Sequence, residues 1–206
     1  MNIVSTPHPV IFLISAPSGA GKTTLCHRLL GECPKLKYSV SSTTRPPREG
    51  EINGVDYDFL SREEFDQRVA DGRFLEYAEV HGNGYGTCLE TLQRFFTSGY
   101  SVLMDVDVQG AAHIRRNLQK ESIDPAMRKS FVDVFISPPS LQSLRERLEG
   151  RAKDAAEVIE ERLKNAADEM SQAGLYEFQI INDNLDMAYD ELLAVYKAST
   201  LKTICL

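Results

Sequence analysis

Short apolar runs alternate with amphipathic segments along most of this chain. Several of the runs are apolar on both faces, as the strands of a buried parallel sheet are. Strands are predicted at 10–15, 38–42, 101–107, 131–137 and 178–183. Apolar residues recur at helical spacing in 22–31, 108–119, 140–149, 157–172 and 186–202. The alternation predicts an α/β fold with a parallel sheet flanked by helices, whose ligand lies at the carboxyl ends of the strands.

Two segments interrupt this alternation. Between about 41 and 85 the chain has turn residues, the extended pieces YDFL and FLEYAEV, and one helical pattern at 61–71, which predict a small α+β insert. Residues 150–157 are polar and weakly patterned. We therefore predict a single domain, 1–206, with two appendages on one core; the core comprises about 1–40, 86–149 and 164–206.

The composition narrows the classes of partner. A content of 42% hydrophobic and 26% charged residues among 206 is typical of a globular protein with one substantial core. The net charge of −7 provides no overall basic field for nucleic acid or an anionic membrane. Neither is expected as a partner, so any phosphate binding must be local. A homo-oligomer is left open.

The chain shows no pattern for export or membrane insertion. No apolar run approaches the roughly 18 residues of a membrane span, and MNIVSTPHPV lacks the basic and apolar regions of a secretory leader. The expected location is the cytoplasm. The cysteines form no C-x-x-C pair and are interpreted as reduced thiols; they are Cys26, Cys33, Cys88 and Cys205.

The stretch APSGAGKTT, at 16–24, lies between the first predicted strand and the first predicted helix. Glycines let successive backbone N–H groups turn inward, and the helix adds the positive end of its dipole, so this setting predicts a phosphate-binding loop. Lys22 is expected to reach the β- and γ-phosphates, and the Thr23 hydroxyl to ligate Mg²⁺. Ala16 replaces the first glycine of the strict pattern, which is acceptable in an extended conformation. The alternative is a glycine-rich turn without a ligand.

A second anion site is predicted in SVSSTTRPPREGE. Arg45 and Arg48 are three residues apart, and the two prolines between them order the backbone that holds both guanidinium groups. Tyr57 and Tyr85 lie in the same insert and can add hydroxyl donors. The alternative is a solvated proline-rich turn.

Two aspartates end an apolar strand in LMDVD. Asp105 and Asp107 stand where a Walker-B-like carboxylate meets Mg²⁺ or its waters. Helix-capping or solvated aspartates are the alternative.

Taken together, these stretches resemble the guanylate kinase family. The matching blocks are APSGAGKTT, SSTTRPPREGEINGVDY, FLEYAEVHGNGYGT, LMDVDVQGA, ISPPS, RLEGRAKDAAEVIEERL and INDNLD, in that order over almost the whole chain. The resemblance implies Mg²⁺-dependent phosphoryl transfer from ATP to GMP, and to dGMP. It also implies a P-loop NTPase-type core with a GMP-binding insert at about 41–85 and a mobile lid at about 150–163.

The resemblance implies a set of residues for each nucleotide. ATP would be bound by Ala16, Pro17, Ser18, Gly19, Ala20, Gly21, Lys22, Thr23, Thr24 and, on the adenine side, Asn182. GMP would be bound by Ser41, Arg45, Arg48, Tyr57, Glu76, Tyr85, Thr87, Asp105 and Asp107. Glu76 and Thr87 would read the N1–H, N2–H₂ and O6 groups of guanine, unless Glu76 is only an exposed strand residue. Asp105 ranks above Asp107 on the metal side.

The resemblance also implies catalytic cations. Lys22 would act with Arg147, Arg151 and Arg162, because two phosphate anions must approach each other and lid closure brings charge that offsets their repulsion. The alternative is an ordinary surface charge network, which is the interpretation preferred for Arg145.

The chain departs from the family pattern at three places. Gly84 precedes Tyr85 where many members have a further tyrosine, which predicts a looser loop. Ala152 follows Arg151 where glycine is common, which predicts a stiffer lid hinge. The stretch 117–130 looks longer than the usual connection and suggests no function from its sequence.

Two other functions stay open at this point. A guanylate-kinase-like binding module would lack a working phosphate loop, whereas this chain keeps Lys22 and Thr23. A related kinase for another small-molecule phosphate would not need Glu76 and Thr87 together.

Overall fold

The computed structural model describes residues 7–80, 82–150 and 155–202. Its strands are β1 (Ile11–Ser15), β2 (Leu36–Tyr38), β3 (Ser42–Thr43), β4 (Asp58–Phe59), β5 (Phe74–Val80), β6 (Asn83–Cys88), β7 (Ser101–Asp105), β8 (Phe131–Ser137) and β9 (Phe178–Ile181). Its helices are α1 (Lys22–Glu32), α2 (Arg62–Ala70), α3 (Leu89–Thr97), α4 (Val108–Leu118), α5 (Pro125–Lys129), α6 (Leu141–Glu149), α7 (Ala156–Ser171) and α8 (Leu185–Thr200), with a 3₁₀ turn at Ala173–Leu175.

The central sheet is parallel, with the strand order β2-β7-β1-β8-β9. The alternate side chains of β1 face two separate apolar layers, because successive residues of a strand point to opposite faces. Phe12 and Ile14 pack in the layer that α1 and α8 cover, whereas Ile11 and Leu13 pack in the layer that α3 and α4 cover. The predicted α/β fold with a helix-flanked parallel sheet is confirmed.

A second sheet, with the strand order β4-β3-β6-β5, is formed by the chain between β2 and α3. In β6, Gly84 accepts a hydrogen bond from the backbone N–H of Thr44 at 3.0 Å. A Cβ added at Gly84 would lie 2.7 Å from the ring of Phe65. The expectation that Gly84 loosens a loop is therefore wrong: it is a strand residue whose missing side chain lets an aromatic ring pack against the sheet.

Other sequence-based boundaries also need correction. The strand predicted at 38–42 is wrong as one element. Strand β2 ends at Tyr38, and the next strand, β3, begins at Ser42 and belongs to the second sheet. Helix α3 was not predicted, and the long connection at 117–130 contains the short helix α5. Within the described ranges, no helix is both long and apolar enough to cross a membrane.

Candidate functional site

The loop between β1 and α1 presents backbone N–H groups at the carboxyl edge of the central sheet. Gly19 and Gly21 have φ angles of 93° and 95°, which glycine adopts without steric cost. Gly21 also caps α1, which has no side-chain cap and no acidic residue in its first turn. The positive end of the α1 dipole therefore meets no carboxylate of its own first turn and suits an anion.

Ala16, in contrast, is buried at the end of β1 and is 7% exposed. The left-handed conformations of this loop fall on its two glycines, so the replacement of the first glycine by Ala16 leaves the turn intact.

A cleft of about 350 Å³ opens at this loop. It is lined by the predicted ATP-binding residues Ala16, Pro17, Ser18, Gly19, Gly21, Lys22, Thr23 and Thr24, together with Asp107 and Glu169. Ala20 is buried beneath the loop and does not line the cleft.

Lys22 is held at the end of β7. Its Nζ lies 2.5 Å from Oδ1 of Asp105 and donates to the carbonyl of Val106 at 3.1 Å. These contacts fix the direction of the ammonium group on the floor of the cleft. They also place the carboxylate of Asp105, one of the two predicted metal ligands, next to the phosphate-binding loop.

A second cleft, of about 380 Å³, lies between the two sheets. It is lined by Ser41, Tyr57, Glu76, Tyr85, Asp105 and Asp107 from the predicted GMP set, and by Ala78, Glu79, Gly86, Val106, Gln109 and Gly110. Asp107 lines both clefts. Asp107 also caps α4, because its carboxylate accepts a hydrogen bond from the Gly110 N–H at 2.7 Å. The same side chain is thus both a helix cap and a residue that lines the clefts.

Glu76 and Thr87 form a buried pair on adjacent strands. They are paired directly across β5 and β6, and the Thr87 hydroxyl donates to Oε1 of Glu76 at 2.8 Å. Glu76 is 8% exposed, so the alternative of an exposed strand residue is excluded. Burial raises the pKa of Glu76 to about 7; the hydrogen bond from Thr87 opposes the shift and the charge of Asp107 adds to it.

The two predicted phosphate-binding arginines converge on a third residue, Glu51. Arg45 pairs with Glu51 Oε1 at 2.8 Å, and the backbone N–H of Arg48 donates to Oε2 at 2.6 Å. The Arg45 guanidinium, followed by the Arg48 N–H, holds the pKa of Glu51 below its usual value. The Arg45 guanidinium also lies over the Tyr57 ring, 5.3 Å from its centroid. The turn that carries Arg45 therefore contacts a residue that lines the second cleft.

Sequence reasoning missed Glu51. An acidic residue three positions after Arg48, in PREGE, was the available signal, because a carboxylate at that spacing can close the turn. Neither arginine is among the residues that line the second cleft.

Arg147 and Asn182 connect the α6 helix to the phosphate-binding loop. A guanidinium N–H of Arg147 donates to the Asn182 carbonyl at 2.7 Å, and Nδ2 of Asn182 donates to the Ala20 carbonyl at 2.7 Å. Asn182 is 4% exposed, so its side chain supports the loop from below. A Cβ on Gly21 would lie 2.3 Å from the same Nδ2 atom.

The other lid residues are placed as follows. Arg162 lies half-buried on α7, which packs against α6 through Leu148 and Leu163. Arg145 pairs with both carboxylate oxygens of Glu160 on the exposed surface, as its interpretation as a surface residue expects. Arg151 and Ala152 lie outside the described residues.

Glu169, on α7, is a further residue that sequence reasoning missed. It is half-buried and lines the first cleft together with Lys22 and Asp107. Burial, followed by the charge of Asp107, raises its pKa, whereas Lys22 lowers it. The available signal was a carboxylate three residues after buried Ala166, at the border of the apolar stripe of the helix.

Known proteins are similar to this chain in sequence and in fold. The family described as "Guanylate kinase" matches residues 8–199. The guanylate kinase of Neisseria gonorrhoeae (strain ATCC 700825 / FA 1090) is 48% identical over 192 residues, which are 93% of this chain and 89% of that protein. The guanylate kinase of Syntrophotalea carbinolica is 46% identical over 189 residues, which are 92% of this chain and 85% of that protein. The crystal structure of guanylate kinase from Anaplasma phagocytophilum superposes with a TM-score of 0.71 at 33% identity, covering 96% of this chain and 89% of that one.

Proposed function

The chain belongs to the guanylate kinase family, and we propose that it transfers the γ-phosphate of ATP to GMP, giving ADP and GDP. One observation carries the proposal beyond membership: the loop cleft and the cleft with the buried Glu76–Thr87 pair share Asp107, so two bound nucleotides would meet there. We extend the proposal to dGMP as a second acceptor, since Glu76 and Thr87 would contact the guanine base in the same way whether it is attached to ribose or to deoxyribose.

In this proposal, ATP lies on the first cleft. The loop N–H groups and the α1 N-terminus hold its phosphates, and Lys22 contacts the transferred group from the position that Asp105 and Val106 fix. Asn182 contributes to ATP binding indirectly, because its side-chain amide donates a hydrogen bond to the Ala20 carbonyl and so supports the loop. Its predicted contact with adenine stays a prediction.

GMP lies in the second cleft, with its base against the strand pair β5 and β6. The carboxylate of Glu76 accepts from guanine N1–H and N2–H₂, and Thr87 stands beside it to complete the discrimination from adenine. A site that depends on such hydrogen bonds rejects the wrong base by about 10⁴-fold or more, because its buried polar groups are then left unpaired. Arg45, Arg48 and the two tyrosines are assigned to the phosphate.

Mg²⁺ is the proposed cofactor, bound together with ATP. Thr23 lines the first cleft and Asp105 lines the second, next to Lys22, and their oxygens are the hard donors that Mg²⁺ prefers. A site of this kind uses one or two carboxylates and the substrate phosphates, so it needs no dedicated cage of protein ligands. When bound, the ion neutralises phosphate charge.

The remaining work of the protein is positioning and charge. The attacking group is already a phosphate anion, so no general base has to activate it, and catalysis consists of aligning two anions and offsetting their repulsion. Lys22 directly follows the glycines of the phosphate-binding loop. Arg147 is connected to the same loop through its hydrogen bond to Asn182. Arg151 and Arg162 are proposed to add charge from the lid and to exclude water that would hydrolyse ATP.

The proposal is tested by measuring ADP release from ATP and Mg²⁺ with GMP, AMP, CMP and UMP in turn. We expect turnover with GMP and none above background with the others. A folded protein that binds GMP without turnover would instead be a binding module.

We also propose a cytoplasmic location, which the unpaired cysteines of the described chain support; they are Cys26, Cys33 and Cys88.

A further inference from the structure

The strand that carries Glu76 contains a β-bulge directly before it. Phe74 pairs with Cys88, but the next pair is Glu76 with Thr87, so β5 advances by two residues while β6 advances by one. Leu75 is the extra residue. Bulges often occur next to active sites, where they redirect a side chain. The side chain that follows this bulge is that of Glu76.

The bulge decides which residue Glu76 faces. Continuing the register of the Phe74–Cys88 pair would place Glu76 opposite Gly86 and leave Leu75 opposite Thr87. A shift of one residue moves every side chain of a strand to the other face. Because of the bulge, Glu76 lies beside Thr87 on the face of the second cleft, while Phe74 packs with Phe65 away from that cleft.

The bulge is held from outside its own sheet. The extra residue of a bulge lies outside the ladder of strand hydrogen bonds. Here the Leu75 carbonyl accepts from Nδ2 of Asn117 at 2.7 Å, and the Leu75 side chain packs in the same apolar cluster as Ile123 and Met127. Both anchors come from the stretch 117–130, to which the sequence assigned no function.

Asn117 stands in the last turn of α4, a helix that begins at the other end of the site. Asp107 caps the N-terminus of α4 and lines both clefts. One helix of 11 residues thus connects the meeting point of the two clefts with the bulge before the base-reading carboxylate.

We propose that Asn117 is a positioning residue for guanine selection: its amide holds the bulge at Leu75, and the bulge keeps Glu76 beside Thr87. This inference rests on the proposed function, because it concerns the GMP side of the same reaction. Asn117 lines neither cleft, and its amide contacts the strand that carries Glu76. We therefore expect its loss to act on the acceptor nucleotide and to leave the affinity for ATP unchanged.

The test compares Asn117→Asp and Asn117→Ala with the unmodified enzyme, using GMP and IMP as acceptors. Asn117→Asp keeps the shape of the side chain but replaces the donor by an oxygen, and Asn117→Ala removes the donor without adding charge. IMP lacks the 2-amino group of guanine, so the ratio of kcat/KM for GMP to that for IMP reports on Glu76 directly. Gln119→Glu, at an exposed position two residues further on, controls for the added charge.

We expect the KM for GMP to rise by roughly fivefold to tenfold in both variants, the range for losing one hydrogen bond. The GMP-to-IMP ratio should fall, and the KM for ATP and the Gln119→Glu control should not change. Equal loss toward ATP and GMP, an unchanged GMP-to-IMP ratio, or loss of the fold in both variants would overturn the inference. An unmodified enzyme that is inactive toward GMP would overturn the proposed function instead.

Discussion

The hydroxyl of Thr87 donates to Oε1 of Glu76 at 2.8 Å; both side chains are buried, and Glu76 lines the second cleft. Burial disfavours the charged carboxylate, so the pKa of Glu76 rises to about 7. In the proposed mode of binding, guanine needs that carboxylate as an acceptor for its N1–H and N2–H₂ groups. The proposal therefore makes the affinity for GMP depend on the protonation state of one buried side chain.

The first prediction is a pH dependence of the KM for GMP. Glu76 is protonated below its pKa and cannot accept both guanine donors, so the KM should rise as pH falls through about 7. The expected change is about tenfold between pH 8 and pH 6 for a single group of this pKa. Steady-state kinetics at saturating ATP measure it.

Glu76→Gln is the matched control for this profile. The second ionisation of the GMP phosphate, near pH 6, affects both enzymes alike, whereas the transition of Glu76 occurs only in the unmodified one. The variant should bind GMP weakly at every pH and ATP normally. An equal loss toward both nucleotides would contradict a base-reading role for Glu76.

The second prediction concerns Lys22. Its ammonium group is held by Asp105 and Val106 at the phosphate-binding loop, and a preorganised charge on the transferring group is typically worth ~3 kcal/mol or more. Lys22→Ala should lower kcat by about a hundredfold or more. Lys35→Ala removes the same charge from an exposed position and should leave kcat unchanged. Turnover of Lys22→Ala close to that of the unmodified enzyme would refute the loop assignment.

The third prediction compares two glycines at the two ends of α1. Gly21 has a φ of 95° and leaves 2.3 Å between an added Cβ and Asn182, whereas an added Cβ at Gly31 meets nothing within 4 Å. Gly21→Ala should lower the free energy of unfolding by more than about 1 kcal/mol. Gly31→Ala should raise it by about 0.4–1 kcal/mol, because alanine loses less backbone freedom than glycine when the last turn of the helix forms. Urea denaturation of both variants measures the difference, and equal effects would argue against the strained approach at Gly21.

The fourth prediction uses two arginines of α6. Arg147 donates to the Asn182 carbonyl behind the loop, whereas Arg145 pairs with Glu160 on the surface. In the proposed mechanism the Arg147 guanidinium also reaches the transferred phosphate, so Arg147→Ala should lower kcat by on the order of a hundredfold, the cost of losing one donor to that charge. Arg145→Ala should change kcat little, because exposed ion pairs contribute about 0–1 kcal/mol. Comparable losses in the two variants would contradict the catalytic assignment of Arg147.

Local patterns of the sequence predicted the features that depend on adjacent residues. The phosphate-binding loop is contiguous, so its glycines and Lys22 are visible together, and α1 begins at Lys22 as predicted. The strand at 131–137 was predicted with its observed bounds because its apolar run is long and is followed directly by Pro138 and Pro139. These signals require no knowledge of what packs against them.

Features that depend on distant residues were not predictable. Ser42 follows β2 closely but pairs with Gly86, so the division of the predicted strand at 38–42 depends on a partner more than 40 residues away in the chain. Helix α3 begins directly after β6 without a turn residue between them, which concealed its start. The contact of Asn117 with Leu75 spans 42 positions, and no spacing rule connects such residues.

The most direct test of the account follows the transferred phosphate itself. The unmodified enzyme is supplied with ATP labelled at the γ-phosphate, Mg²⁺ and GMP, and the labelled products are separated. The account predicts that the label appears in GDP and only at background level in inorganic phosphate, because the two clefts align the nucleotides and exclude water. Label released mainly as inorganic phosphate, or transferred as readily to AMP when AMP replaces GMP in a parallel reaction, would contradict it.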